Sequence, residues 1–231
     1  MHEVTMTETM SISPELAHPA PELALGVLTY RPRVTPTDEV LRNRIDEEVQ
    51  RVRMQLEPSE LVILPQVAAL REAYRALGRE PSRYRGSAEA LLRRVLSGKG
   101  LHEVNNVVDV NNLISLHTGA AVGTYDLDRI QGSIDFGVAG PDDTYRAIGK
   151  GPLRLEGLPI FRDESGPFGG PTSDSERTMI RASTARAMTV IISFAGDGGL
   201  DGALRFAAKS LETYSGAHSI STRVVCGAET R

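Results

Sequence analysis

The 231-residue chain carries 26 basic and 30 acidic side chains, a net charge of −4. With glycines counted and tyrosines set aside it is about 47% apolar, inside the globular band of about 45–50%. The single Cys226 excludes an intramolecular disulfide and a cysteine-only metal cluster.

Residues 1–22 hold three prolines and no hydrophobic period, so they read as a flexible acidic tail ahead of one domain over 23–231. The first buried strand is expected at Leu23–Tyr30, with Pro32 and Pro36 punctuating its exit. Thr37 caps a helix over 38–56: Asp38 and Glu39 complement its dipole, and Leu41, Ile45, Val49, Val52 and Leu56 recur at steps of three and four. A second helix begins at Pro65, a residue suited to a first helical turn, and ends at Gly78. Ser87 caps a third, Ala88–Leu96, and Val107–Leu116 makes a fourth that stops at Gly119. Beyond it the pattern changes to short segments between Gly, Pro and Asp: strands at Val122–Tyr125, Ser133–Val138, Tyr145–Ile148, Leu158–Phe161 and Ala187–Phe194. A last helix, Leu200–Tyr214, and a last strand, Ser219–Val225, complete an α+β chain with helices first and strands later. No apolar run approaches the roughly 18–20 residues of a membrane span. The N-terminus lacks a signal peptide's basic start and apolar stretch, so a cytoplasmic protein is expected.

The net charge hides an asymmetry. Four glutamates and no Lys or Arg fall within residues 1–30, whereas the stretch from Arg71 to Lys99 is net +5. Arg75, Arg79, Arg83, Arg93 and Arg94 in that stretch are candidate phosphate contacts, since arginine displaces the counterions of a polyanion. The competing reading is a solvated helix face. Tyr74 and Tyr84 interleave with these arginines, to stack on a base or to pack in the core. Motifs for common chemistries fail. The five histidines never fall at zinc-ligand spacing, Gly98-Lys99-Gly100 is not a phosphate loop, and no Gly-x-Ser-x-Gly elbow exists. Asp126, Asp128, Asp142 and Asp143 sit beside turns, where Asx hydrogen bonding accounts for them.

The informative run is Val104-Asn105-Asn106-Val107-Val108-Asp109-Val110-Asn111-Asn112-Leu113, followed by Gly123-Thr124-Tyr125-Asp126. It resembles the Asn-Val-Val-Asp-Val-Thr-Asn-Tyr segment and following Ala-Phe-Asp strand of the editing (B3/B4) domain of the bacterial phenylalanyl-tRNA synthetase β subunit. Tyr74-Arg75-Ala76-Leu77-Gly78, Pro81-Ser82-Arg83-Tyr84-Arg85 and Asp174-Ser175-Glu176-Arg177-Thr178 resemble the free-standing relatives of that domain. The resemblance spans roughly residues 20–225. It implies a three-layer β/β/α sandwich of the editing-domain type, and a pocket for the aminoacylated end of a tRNA. It also implies hydrolysis of the ester that holds a wrong amino acid.

Carried over residue by residue, the resemblance places Asn112 at the asparagine of the family's Thr-Asn pair, with Asn111 replacing the threonine. The family histidine that contacts substrate falls at Gly123, so a tyrosine-specific contact does not carry over. Gly169-Gly170 corresponds to the glycine-rich pocket edge. Ser175, Glu176 and Arg177 belong to the free-standing pattern; Arg177 or Arg85 is expected to take an anionic or carbonyl group while Glu176 orients it. Each has a structural alternative: Asn105, Asn106 and Asp109 as helix caps, Ser87 as a cap, and Glu176 with Arg177 as a surface ion pair. Two functions therefore stand side by side. One is tRNA binding with trans-editing hydrolysis, which needs little beyond a positioned water and donors to an oxyanion. The other is a non-catalytic pocket for an amino acid or similar metabolite. Neither calls for a metal, an organic cofactor, a membrane or DNA.

Overall fold

Alternation along one strand organises the whole molecule. In the computed structural model, which describes residues 9–227, that strand is β2 (Ala24–Arg31). Its Leu25 and Val27 face one way and Ala24, Leu28 and Tyr30 the other. β2 pairs antiparallel with β9 (Ala187–Ser193) and β10 (His218–Cys226), and β9 pairs antiparallel with β3 (Ala121–Asp126). The sheet order is β10-β2-β9-β3. Every residue of β9 is buried, as a central strand covered on both faces requires.

A second sheet has the order β1-β4-β7-β8, built from β1 (Met10–Ile12), β4 (Ile134–Val138), β7 (Pro159–Asp163) and β8 (Gly166–Gly169). Only its β1–β4 pairing is parallel. β5 (Thr144–Ala147) and β6 (Gly151–Arg154) form a separate hairpin. Leu25, Val27 and Val190 of the first sheet meet Phe136, Phe161 and Phe168 of the second in an aromatic inter-sheet core. Each of these phenylalanines is fully buried and contributes about 1.5–3 kcal/mol.

The other face of the first sheet carries α2 (Glu39–Gln55), α4 (Ser87–Leu96), α5 (Asn106–Thr118) and α6 (Leu200–Ser215) over a second aliphatic core. α3 (Pro65–Ala76) sends Leu70, Ala73 and Tyr74 between the sheets instead. Helices, sheet and sheet make the expected three-layer β/β/α arrangement of an α+β protein. Asn105 caps α5 by accepting from the amides of Val107 and Val108, worth about 1 kcal/mol. Gly119 ends α5 in the left-handed region at φ 69°, which favours glycine.

The structure corrects several expectations. Residues 1–8 of the expected tail lie outside the described residues, but from Met10 the segment belongs to the fold. β1 pairs with β4, and Leu16 of α1 (Pro14–Ala17) is fully buried. Three residues are too few to show a period. Asp38 rather than Thr37 caps α2, accepting from the Leu41 amide, while Thr37 donates to Asp109. Asp109 and Asn106 do not cap α5. Asp109 accepts from the Val104 amide, and Asn106 ties Thr35, Arg33 and Tyr214 to the helix start. Ser87 makes no side-chain cap; its amide donates to Pro171. β6 and β8 escaped the sequence because four residues rich in Gly and Pro carry no alternation. No helix among the described residues is long and apolar enough to cross a membrane.

Candidate functional site

β3 is the edge strand of the first sheet, and the residues singled out around it divide between its two faces. Thr124 faces the helices. Its hydroxyl donates to Asn111 Oδ1 of α5 at 2.9 Å and lies 2.9 Å from the Thr189 hydroxyl, which is 2.9 Å from the Tyr30 hydroxyl. The proton count gives this chain one direction. With the Thr124 proton committed to Asn111, Thr124 accepts from Thr189, and Thr189 accepts from Tyr30. Burial raises the Tyr30 pKa, so its proton stays in place.

Gly123 and Tyr125 face the second sheet. A Cβ at Gly123 would stand 2.1 Å from the Tyr125 hydroxyl, and one at Gly169 would stand 2.5 Å from it. The fully buried Tyr125 thus fills the volume that larger residues at 123 and 169 would take. Its hydroxyl donates to Asp174 Oδ1 at 2.8 Å, and the Gly170 amide donates to the same oxygen at 3.3 Å. Burial pushes the Asp174 carboxyl up to about 6, against the pull of these two donors and of the Lys150 charge. The Tyr125 hydroxyl is raised well above its ordinary value by burial and by that carboxylate, so it remains a donor. Tyr145 donates to the Ser173 carbonyl at 2.6 Å, and Tyr74 shares a hydrogen bond with Thr172. Three tyrosines therefore pin the 172–174 segment, and Asp174 is only half-buried within it. A carboxylate that titrates near neutrality and stays within reach of solvent can take a proton from water. Gly123→Ala should destabilise the protein by about 1–3 kcal/mol, because Tyr125 has no room to retreat. A urea melt checks this, and an unchanged midpoint would show that the ring is not wedged.

The other site candidates are placed apart. Asn112 lines a surface cavity of about 290 Å³ between α2, α5 and the 98–103 loop, with Arg42, Asp46 and Arg53. Gly123 and the buried Ser175 lie on the Tyr125–Asp174 side, Ser175 bridging Ala147 and accepting from the Arg177 amide. The ion pair expected between Glu176 and Arg177 does not form, because each faces a different strand. Glu176 pairs with Arg146, while Arg177 makes a two-point pair with Asp163 at 2.8 and 2.9 Å and donates to the carbonyls of Arg129 and Gly166. Arg85 lies 3.4 Å from Glu89, which is 3% exposed and also receives Arg71 and Arg93. Among the candidate phosphate contacts, Arg75 and Arg83 are exposed, and Arg83 also stacks on Tyr84. Arg79 reaches Glu156 at 3.6 Å. Arg93 and Arg94 line an open groove with Lys99. Tyr125 and Asp174 were not singled out by the sequence; the signal for both was their place inside the two recognised segments.

Fold and site together define an α+β sandwich with a tyrosine–carboxylate cluster at its sheet edge. A family model for the B3/4 domain matches residues 69–199, more than half of the chain, and the chain belongs to that family. Among solved structures, it is similar to an N-terminal fragment of the phenylalanyl-tRNA synthetase β subunit from Pyrococcus horikoshii, at 12% identity and a TM-score of 0.46. That match covers 95% of this chain and 50% of the other, so the chain spans half the length of that solved fragment. No curated protein sequence matches it. The strands β2 and β10 and the helix α6 lie outside the matched residues, yet β2 and β10 supply half of the first sheet.

Proposed function

We propose that this B3/4 domain acts on the aminoacylated end of tRNA as a trans-editing hydrolase. Asp174 is the general base. It takes a proton from water as the water oxygen attacks the ester carbonyl, then returns it to the tRNA ribose oxygen that leaves with the broken C–O bond. The products are free amino acid and uncharged tRNA. The observation that carries this reading is the half-buried Asp174 carboxyl, held by the Tyr125 hydroxyl and the Gly170 amide in a pocket edge that the family resemblance assigns to substrate. The exposed Arg75 and Arg83, with Arg94 and Lys99 of the neighbouring groove, supply phosphate contacts. The test is deacylation of a panel of mischarged tRNAs by the wild type and Asp174→Asn. Release of one noncognate amino acid, lost in the variant, is the expected result. No release from any member by folded protein would overturn the proposal.

A second reading has its own support. The cavity that holds Asn112 is lined by two arginines, three acids and two amides, groups that complement the carboxylate and ammonium of a free amino acid. On that reading the amino acid binds without catalysis, and Asn112→Ala should weaken binding about tenfold through one lost hydrogen bond. Calorimetry with the free amino acids checks it. tRNA binding should weaken steeply with added salt, whereas amino-acid binding should not.

A further inference from the structure

The β5–β6 hairpin stands beside the Asp174 segment. The Ile148 amide donates to the Asp174 carbonyl at 3.0 Å, the Glu176 amide donates to the Arg146 carbonyl at 2.9 Å, and Ala147 bridges Ser175 between them. Backbone bonds on both sides of that bridge fix the hairpin to the residues around the candidate base, whatever its side chains do.

Strand alternation then sorts those side chains. Tyr145 and Leu153 lie opposite each other and pack inward with Leu155, Leu158 and Ile160. The neighbouring cross-strand pairs, Thr144 with Arg154 and Arg146 with Pro152, are exposed and share the outer face. The turn adds an exposed Lys150, whose charge reaches the Asp174 carboxyl. Most of the surrounding acids are committed. Asp143 accepts from Arg162 and the Gly140 amide, Glu156 pairs with Arg79, and Glu176 pairs with Arg146. Asp142 lies at the base of the hairpin, at the end away from Lys150. Among the described residues neither Lys150 nor Arg154 has an ion-pair partner. The Arg146–Glu176 pair is exposed on both sides, and such a pair is worth about 0–1 kcal/mol, so a phosphate can displace it.

We propose that the outer face of the β5–β6 hairpin holds the phosphates of the single-stranded 3′ end of tRNA, through Lys150, Arg146 and Arg154. The occupant rests on the hydrolase reading: an ester poised at Asp174 brings the strand that carries it alongside the hairpin. Binding there is independent of sequence, since cations release the counterions of any phosphate backbone. The probe is a short fluorescein-labelled RNA single strand ending in CCA, titrated by anisotropy at several salt concentrations against the full chain. Lys150→Gln with Arg154→Gln, both exposed and outside the core, should lower the slope of log K against log salt by about 1.4, or about 0.7 for each lost contact. Affinity at about 0.1 M salt should fall on the order of tenfold. Lys209→Gln, on α6 in the helix layer, should bind like the wild type. In deacylation the loss in the double variant should fall on KM rather than kcat. An unchanged slope in the double variant, an equal loss in Lys209→Gln, or no binding of the strand by the wild type would each overturn the proposal. The hydrolase reading fails separately. Strand binding lost in the double variant, from a protein that releases no amino acid, would support the hairpin contact and remove the hydrolase.

Discussion

Asp174→Asn should lower deacylation by about 10²–10⁴-fold, the span that general acid–base groups contribute. The variant keeps an oxygen to accept from Tyr125 and Gly170, so the 172–174 segment stays pinned while the base is lost. In the wild type the rate should climb with pH and level off above about 6, where the carboxyl is ionised. The same group predicts an opposite effect on stability. Its folded pKa of about 6 lies above the 3.8 of an ordinary aspartate, so the folded protein holds the proton more tightly than the unfolded chain. That stabilisation is complete below about 3.8 and is lost as pH rises through about 6. Above that range the ionised carboxyl costs on the order of 1 kcal/mol, allowing for its partial exposure. Asp174→Asn should therefore raise the melting midpoint at pH 7.5 by an amount that shrinks toward pH 4. A variant less active and more stable at neutral pH would mark Asp174 as a group kept for chemistry rather than for folding. Unchanged activity alongside raised stability would instead leave it a strained structural carboxyl.

How far the sequence could go depended on the scale of each signal. α2 was legible because Leu41, Ile45, Val49 and Val52 recur at helical steps within its 17 residues, and β9 because a short, β-branched, mostly apolar run between turn residues suits a strand buried on both faces. β1, β6 and β8 were not, because each has three or four residues and pairs only through long-range register. The basic stretch illustrates a subtler limit. Its net charge is a property of the sequence, but Arg71, Arg85 and Arg93 converge on one buried glutamate, and that convergence exists only after folding. Such arginines neutralise a desolvated carboxylate before they can serve a polyanion. The site divided in the same way. The resemblance assigns both Asn111 and Gly123 to positions that contact substrate, yet the pleat of β3 puts Thr124, the partner of Asn111, on one face and Gly123 on the other. What the sequence could not convey was that the hydroxyl of Tyr125, two residues along the same face, stands where a side chain at position 123 would be.

Arg177 draws the sharpest line between a site residue and a structural one. Asp163 is fully buried at its side chain and accepts from Arg177 through both oxygens, while the amides of Gln131 and Ser165 complete its shell. The guanidinium also donates to two backbone carbonyls and lies 5.8 Å from the Phe168 ring centre. Arg177→Ala strands a buried carboxylate and should cost about 3–5 kcal/mol. For a chain of this size that is a fall in melting midpoint of roughly 10 °C. Replacing both partners by apolar residues, as in Asp163→Leu with Arg177→Met, should cost less than Arg177→Ala alone, because no charge is left buried without its partner. Thermal melts of the single and double variants test this. Deacylation per folded molecule adds the functional half: it should be unchanged in Arg177→Ala below its melting range. A variant that melts like the wild type but fails to act on tRNA would reverse the assignment and return Arg177 to the substrate.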